Sequence, residues 1–319
     1  MKELILLSKV AVSGANGFVG RAVLSRLIQE NRTVTAFVRD GSMQQLEGAS
    51  VASIVDRTSW SSALRQCSVF VHCAGLAHVL KDKRRAALNE FRDVNVDLTL
   101  ALARSAAAAG VKRFVFVSSI GVNGLTSGPE AFTPEGPANP QTPYSISKFE
   151  AEQGLQAISE ETGIEIVVVR PPLVYGADAP GNFGVLMAML RQGWPLPLGA
   201  VTKNRRSYVA LPNLVDLLLT VCDHPAAANQ VFLVSDGEDL STTDLLRRLA
   251  AAMGRPEHLW PVPSAWLWLG AKILARQDLA QRLLADLRVD ISKTRRLLGW
   301  SPLVTVGEGL GLAIKRMPQ

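Results

Sequence analysis

The stretch KVAVSGANGFVGRAVLSRLIQE, residues 9–30, constrains the fold more than any other part of the chain. A β-branched apolar run ends in a turn carrying Gly14, Gly17 and Gly20, and an amphipathic helix begins inside that turn. The turn needs backbone freedom that glycine supplies, and the unpaired N–H groups opening a helix favour an anion. In a strand–turn–helix context the spacing reads as a dinucleotide pyrophosphate site, to which Asn16 and Phe18 also belong. The plainer alternative is a tight glycine turn without a ligand.

The first half continues as alternating elements. Strands are expected over 9–14, 33–39, 51–56, 69–75, 113–119 and 164–171, and helices over 18–30, 60–67, 88–109 and 144–162. Strands that are apolar nearly throughout, separated by helices, imply an α/β fold: a doubly wound parallel sheet covered on both faces. A Gly-, Pro-, Ser- and Thr-rich loop at 123–143 runs directly into Tyr144. Beyond Gly176 the alternation weakens, and a chain of 319 residues suggests roughly two domains. We expect a nucleotide-binding domain over 1–176, to which the chain returns at about 208–236 with a strand at 231–236. A smaller substrate lobe would comprise 177–207 and 237–319.

Composition narrows the function classes. The net charge of +6 is dispersed, with no basic block interleaved with aromatics, so nucleic-acid binding is not expected. Cys67, Cys73 and Cys222 form no CxxC pair, and His72, His78, His224 and His258 have no metal-ligand spacing. Neither a disulfide framework nor a metal site is expected, and the reducing cytoplasm is the default location. The N-terminal apolar run is too short for a signal peptide. The run SAWLWLGAKILA, 264–275, is too short to span a bilayer. It suits a helix packed on the substrate lobe or, through Trp266 and Trp268, an interfacial or partner-binding helix.

Two residues bear on the cofactor. Where an acidic residue at the end of the second strand would bind an adenosine ribose diol, this chain has Arg39. An arginine there suits a 2′-phosphate, which favours NADP(H); NAD(H) is the alternative, with Asp40 on the ribose. Asp56, ending the third strand, is placed either at the adenine edge or as a strand-end cap.

FVFVSSIGVNG ends the fifth strand with two serines, and Tyr144 of TPYSISKFEAE follows 25 residues after Ser119, with Lys148 one helical turn on. With the glycine turn, HCAG (72–75), Asn95, RPPLVYG (170–176), GNF (181–183) and SKTRRLLGWSP (292–302), this ordered set closely resembles the extended short-chain dehydrogenase/reductases, in particular their nucleotide-sugar epimerase/dehydratase branch. The resemblance covers nearly the whole chain. It implies a Rossmann-type sheet with a C-terminal substrate lobe and a catalytic trio of Ser119, Tyr144 and Lys148. It also implies cofactor contacts at Ala74, Gly75, Lys148 and Pro171, and a homodimer formed through the helices over 88–109 and 144–162. Asn182 matches a residue that contacts the substrate diphosphate, and Arg206, with Arg205 as competitor, one that meets uridine diphosphate. His78 would fall near the sugar pocket.

The chemistry explains the grouping. A tyrosine acting as acid and base near neutral pH needs its pKa lowered, which the Lys148 ammonium and an oxidised nicotinamide favour. Ser119 would polarise the reacting carbonyl. Sugar dehydratases of this branch carry Thr-Asp-Glu where this chain has Ser119, Ile120 and Gly121, so elimination is not expected. Arg39 and Asn123, where a tyrosine is common, lean the reading towards C4 reduction of a UDP-4-keto-6-deoxy-N-acetylhexosamine in surface polysaccharide synthesis. UDP-hexose or UDP-N-acetylhexosamine 4-epimerisation is the alternative, followed by reduction of a steroid- or flavonoid-like substrate. A non-catalytic cofactor-binding scaffold is the reading from another class.

Overall fold

The computed structural model describes residues 9–39, 48–77 and 84–315. Ten strands run in order: β1 (Lys9–Ser13), β2 (Val34–Val38), β3 (Ser50–Ser53), β4 (Cys67–His72), β5 (Arg113–Val117), β6 (Glu165–Arg170), β7 (Leu173–Tyr175), β8 (Arg206–Ala210), β9 (Val231–Leu233) and β10 (Asp239–Leu240). Seven of them form a parallel sheet ordered β3-β2-β1-β4-β5-β6-β9. The chain winds outward from β1 in one direction and from β4 in the other. The crevice at the carboxyl ends of β1 and β4 is therefore the topological switch point where such sheets bind ligands.

Alternation along each strand fills two cores, because successive side chains point to opposite faces. Val10, Val12, Val71, Val115 and Val167 pack against Leu24 and Leu27 of the helix Phe18–Gln29 and Leu214 and Leu218 of the helix Leu211–Asp223. Ala11, Phe37, Phe70, Phe114 and Phe116 face Leu102 and Ala106 of the helix Leu98–Ala108 and Leu155 of the helix Pro143–Thr162. A third core lies around the small sheet β10-β8-β7 and the helices Asn182–Arg191, Thr242–Ala252 and Val306–Lys315. Buried Tyr175 ties this part to the main sheet: its Oη donates to Asp236 Oδ2 at 2.7 Å, while Asp236 Oδ1 accepts from the Ala210 amide and Asn213 Nδ2.

Several elements end earlier than their apolar runs suggest. The third strand stops at Ser53, not Asp56, because Ser53 Oγ accepts from the amides of Val55 and Asp56 and bends the chain. The helix expected over 88–109 is already helical at Arg84, the first described residue of this stretch, and carries a π-helical segment, Asp93–Asp97, before continuing as Leu98–Ala108. The loop preceding Tyr144 is held against the C-terminal residues: the Phe132 amide donates to Arg288 O, the Asp290 amide donates to Phe132 O, and the Ser127 amide donates to Asp286 O.

Candidate active site

The glycine turn is required by close packing. Gly14 has φ +66°, and a Cβ there would lie 2.7 Å from the Ala74 amide nitrogen; one on Gly20 would lie 2.2 Å from Gly14 O. Gly17 caps the helix Phe18–Gln29 without a side chain, so no N-cap side chain competes for the amides that open it. Beneath the turn, His72 joins Ser13 Oγ at 2.7 Å and Thr99 Oγ1 at 2.9 Å. Burial, with a smaller push from the Lys148 charge, takes its pKa down to about 3, so it is a neutral structural histidine.

Ser119, Tyr144 and Lys148 are positioned by local sequence. Thr142 and Ser145 form a reciprocal capping box, Pro143 follows the cap, and Gly163 closes the helix at φ +75°. Tyr144 is thus fixed in the first helical turn, half-buried, with its ring edge towards Phe91 at 6.0 Å. Ser119 caps a short turn by accepting from the Gly121 amide at 3.1 Å. A Cβ on Gly121 would stand 3.2 Å from Ser145 Cβ and 3.4 Å from Ser119 Oγ, so Ser119 lies against the helix start that carries Tyr144. Lys148 is buried, donates to Val117 O at 3.0 Å and stands 4.5 Å above the Phe116 ring.

Burial sets the protonation of both groups. It pushes the Tyr144 phenol up to about 12 and the Lys148 ammonium down to about 8, the latter partly opposed by Cys73 and Glu152. Burial thus favours the protonated form of Tyr144. Gly75 makes room: a Cβ there would lie 3.2 Å from Lys148 Nζ and 3.3 Å from Asn95 Oδ1. The glycine cradle at Gly14, Gly17, Gly20 and Gly75 fits the close approach of a dinucleotide along the switch-point crevice.

Two polar clusters lie beneath these residues; the sequence reading names Asn95 and Asn123 but not their buried partners. Asn95, in the π-helical segment, donates to Leu76 O and Ser147 Oγ, both at 3.0 Å, and accepts from the Leu76 amide. Arg170 pairs with Glu152 through Nη2–Oε2 at 2.5 Å and Nε–Oε1 at 3.0 Å, and donates to Asn123 Oδ1; Ser118 Oγ completes the set on Glu152. A signal was present: an arginine ending an apolar strand needs a buried carboxylate, and Glu152 stands one turn beyond Lys148 on its helix.

The outlying candidates fare unequally. Arg39 is exposed just past β2. Asp56 is exposed and caps the turn after β3, accepting from the Thr58 amide and Oγ1. Buried Pro171 accepts from the Ile120 amide. Asn182 begins the helix Asn182–Arg191. Arg206 is buried and donates to Ala285 O at 2.7 Å, with its pKa lowered by burial, whereas Arg205 is exposed and bonds to Thr202 O and Asn204 O. Asp40 and His78 lie outside the described residues. Among the described residues no group of three or more His, Cys, Asp or Glu could hold a metal ion, and no helix is long and apolar enough to cross a membrane. The run 264–275 forms the helix Ser264–Ile273 with no fully buried residue, so the expected packing on the lobe is only partial, through Leu267.

Comparison with known proteins agrees with this geometry. The pattern of the NAD dependent epimerase/dehydratase family matches residues 10–235. A UDP-glucose 4-epimerase from Vibrio cholerae is 41% identical over 305 residues, covering 94% of this chain and 92% of that one. The crystal structure of a UDP-glucose 4-epimerase with UDP-glucose from Thermotoga maritima superposes with a TM-score of 0.75 at 22% identity, covering 96% of this chain and 97% of that one. A UDP-glucuronic acid 4-epimerase from Bacillus cereus in complex with NAD gives a TM-score of 0.76 at 19% identity, with 96% and 95% covered. The chain is a member of the NAD dependent epimerase/dehydratase family.

Proposed function

We propose that the protein is a UDP-sugar 4-epimerase that works with a retained NAD. The observation that carries this reading is the 41% identity to a UDP-glucose 4-epimerase over 94% of the chain, and it displaces C4 reduction as the first choice. The NAD would lie along Gly14, Asn16, Gly17, Phe18 and Gly20, past Ala74 and Gly75, to Lys148 and Pro171. Held there, an NAD would supply reversible hydride chemistry at the sugar C4.

The chain's own groups handle the proton and the orientation. Tyr144 takes the proton of the sugar C4 hydroxyl and later gives it back. Its pKa, pushed up to about 12 by burial, must fall for this, and the positive charge of an oxidised nicotinamide would act in that direction. Ser119 holds the reacting oxygen by a hydrogen bond. Asn182 and Arg206 take the diphosphate. Dehydration lacks its acid: the residues after Ser119 are Ile120, which is buried, and Gly121.

Arg39 favours a second reading, NADPH-dependent reduction of a UDP-4-keto sugar, because an exposed guanidinium past β2 suits a 2′-phosphate. Incubating the purified protein with UDP-glucose or UDP-N-acetylglucosamine and no added cofactor separates the two. The C4 epimer supports epimerisation; no conversion, with NADPH consumed against a UDP-4-keto-6-deoxy sugar, replaces it.

A further inference from the structure

The large apolar side chains left in water are concentrated at one place. Trp260, Trp266, Leu269, Ile273 and Leu274 are 52% to 74% exposed, and all belong to residues 260–274. Trp266, Leu269 and Ile273 recur at i, i+3 and i+7 on the helix Ser264–Ile273, so they form one stripe along it. Behind the stripe, a groove of about 480 Å³ separates this helix and Gln277–Leu284 from the helix Asn182–Arg191. Its lining is apolar apart from Arg276, so water inside it has few partners. Single exposed apolar residues are ordinary, but a contiguous patch of this kind marks a surface that something covers.

The charges around the stripe say what kind of surface. Lys272, Arg276 and Arg282 are all exposed at or just beyond its C-terminal end, against Asp278 as the one acid over 264–284. In a self-complementary dimer through this face, the same cations would be brought towards their own copies. An anionic lipid headgroup layer satisfies both features: tryptophans and leucine-type side chains enter the boundary between headgroups and acyl chains, and basic residues remain at the phosphates. We propose that residues 260–284 dock the protein flat on an anionic bilayer surface, with the helix Ser264–Ile273 lying in the interface plane. At ten residues the helix cannot span. Docking would bring the helix that begins at Asn182, one wall of the groove, to the membrane side of the molecule.

The test is co-sedimentation of the full chain with vesicles of phosphatidylcholine alone, and of phosphatidylcholine with about one-third phosphatidylglycerol. The wild type is expected to sediment with the anionic vesicles, with a blue shift of tryptophan fluorescence. The triple variant Trp266→Ser, Ile273→Ser, Leu274→Ser should lose at least about tenfold in partitioning, with unchanged circular dichroism because all three side chains are exposed. Lys272→Gln, Arg276→Gln, Arg282→Gln should lose binding to the anionic vesicles and abolish its salt dependence. Failure of the wild type to sediment overturns the proposal, as does sedimentation unaffected by the serine substitutions. So does a dimer in sedimentation velocity that the serine variant dissociates while neither protein binds vesicles, which would assign the face to a second copy.

Discussion

Arg170 and Glu152, both charged, are 6% and 8% exposed beneath the candidate active site, whereas Trp266 and Ile273, both apolar, are 69% and 74% exposed on the C-terminal lobe. The two regions invert the usual distribution in opposite senses, and each inversion is compensated differently. Under the active site, every ion in the pair is satisfied within the protein: Glu152 by Arg170 and Ser118, Arg170 also by Asn123. Such a pair is weak support for stability but fixes geometry, because its members have few other places to go. It locks the strand that ends before Pro171 to the helix carrying Tyr144 and Lys148. On the lobe, nothing within the described residues covers the apolar stripe. Buried charge positions chemistry; exposed apolar surface addresses a partner.

The largest effect expected on the polar side is chemical. Tyr144→Phe should lower turnover by about 10³-fold with thermal stability unchanged; retained turnover would remove Tyr144 from the chemistry and leave the network beneath it without that purpose. Next, Arg170→Met should cost about 3–5 kcal/mol in urea unfolding, because Glu152 is left as a buried, uncompensated charge. The double variant Arg170→Met, Glu152→Met should recover most of that loss. Equal destabilisation of single and double variants would show that the pair is not coupled.

Lys148 gives a smaller effect with a definite sign. Its pKa falls from 10.5 to about 8 on folding, so between those values the unfolded chain binds more protons. Its contribution to stability is therefore unfavourable below pH 8, by about 3 kcal/mol, and is relieved as pH rises towards 10.5. Lys148→Met should abolish turnover yet raise stability at pH 7 by about 2 kcal/mol, after loss of the bond to Val117 O. The gain should shrink at pH 9.5, where the tyrosines titrate alike in both proteins and cancel; a gain independent of pH would contradict a buried ammonium. The smallest effect lies on the lobe: Trp266→Ser should change unfolding free energy by less than about 0.5 kcal/mol. A larger loss would mean that the stripe is core after all.

The same contrast explains what could be read from the chain. The glycine turn, the capping of Tyr144 and the Tyr144–Lys148 spacing are local, written within a few adjacent residues, so the fold and the placement of Tyr144 and Lys148 on one helix were legible. The Glu152–Arg170–Asn123 set joins three elements and depends on register between them, which no single window displays. Asp56 looked like a strand end, but Ser53 bends the chain before it. The apolar run at 264–275 has the same composition whether it faces the core or water; only packing distinguishes them. Arg206 and Arg205 are neighbours in sequence, and the start of β8 separates them: Arg206 opens this wholly buried strand, whereas Arg205 lies just before it and is exposed.

The most direct test of the central assignment is proton NMR of a UDP-hexose incubated with the purified protein in D₂O, with no nicotinamide nucleotide added. A retained NAD that returns the same hydride predicts accumulation of the C4 epimer with hydrogen, not deuterium, at C4. Deuterium at C4, or no interconversion until NADPH is supplied together with a 4-keto sugar, would contradict it.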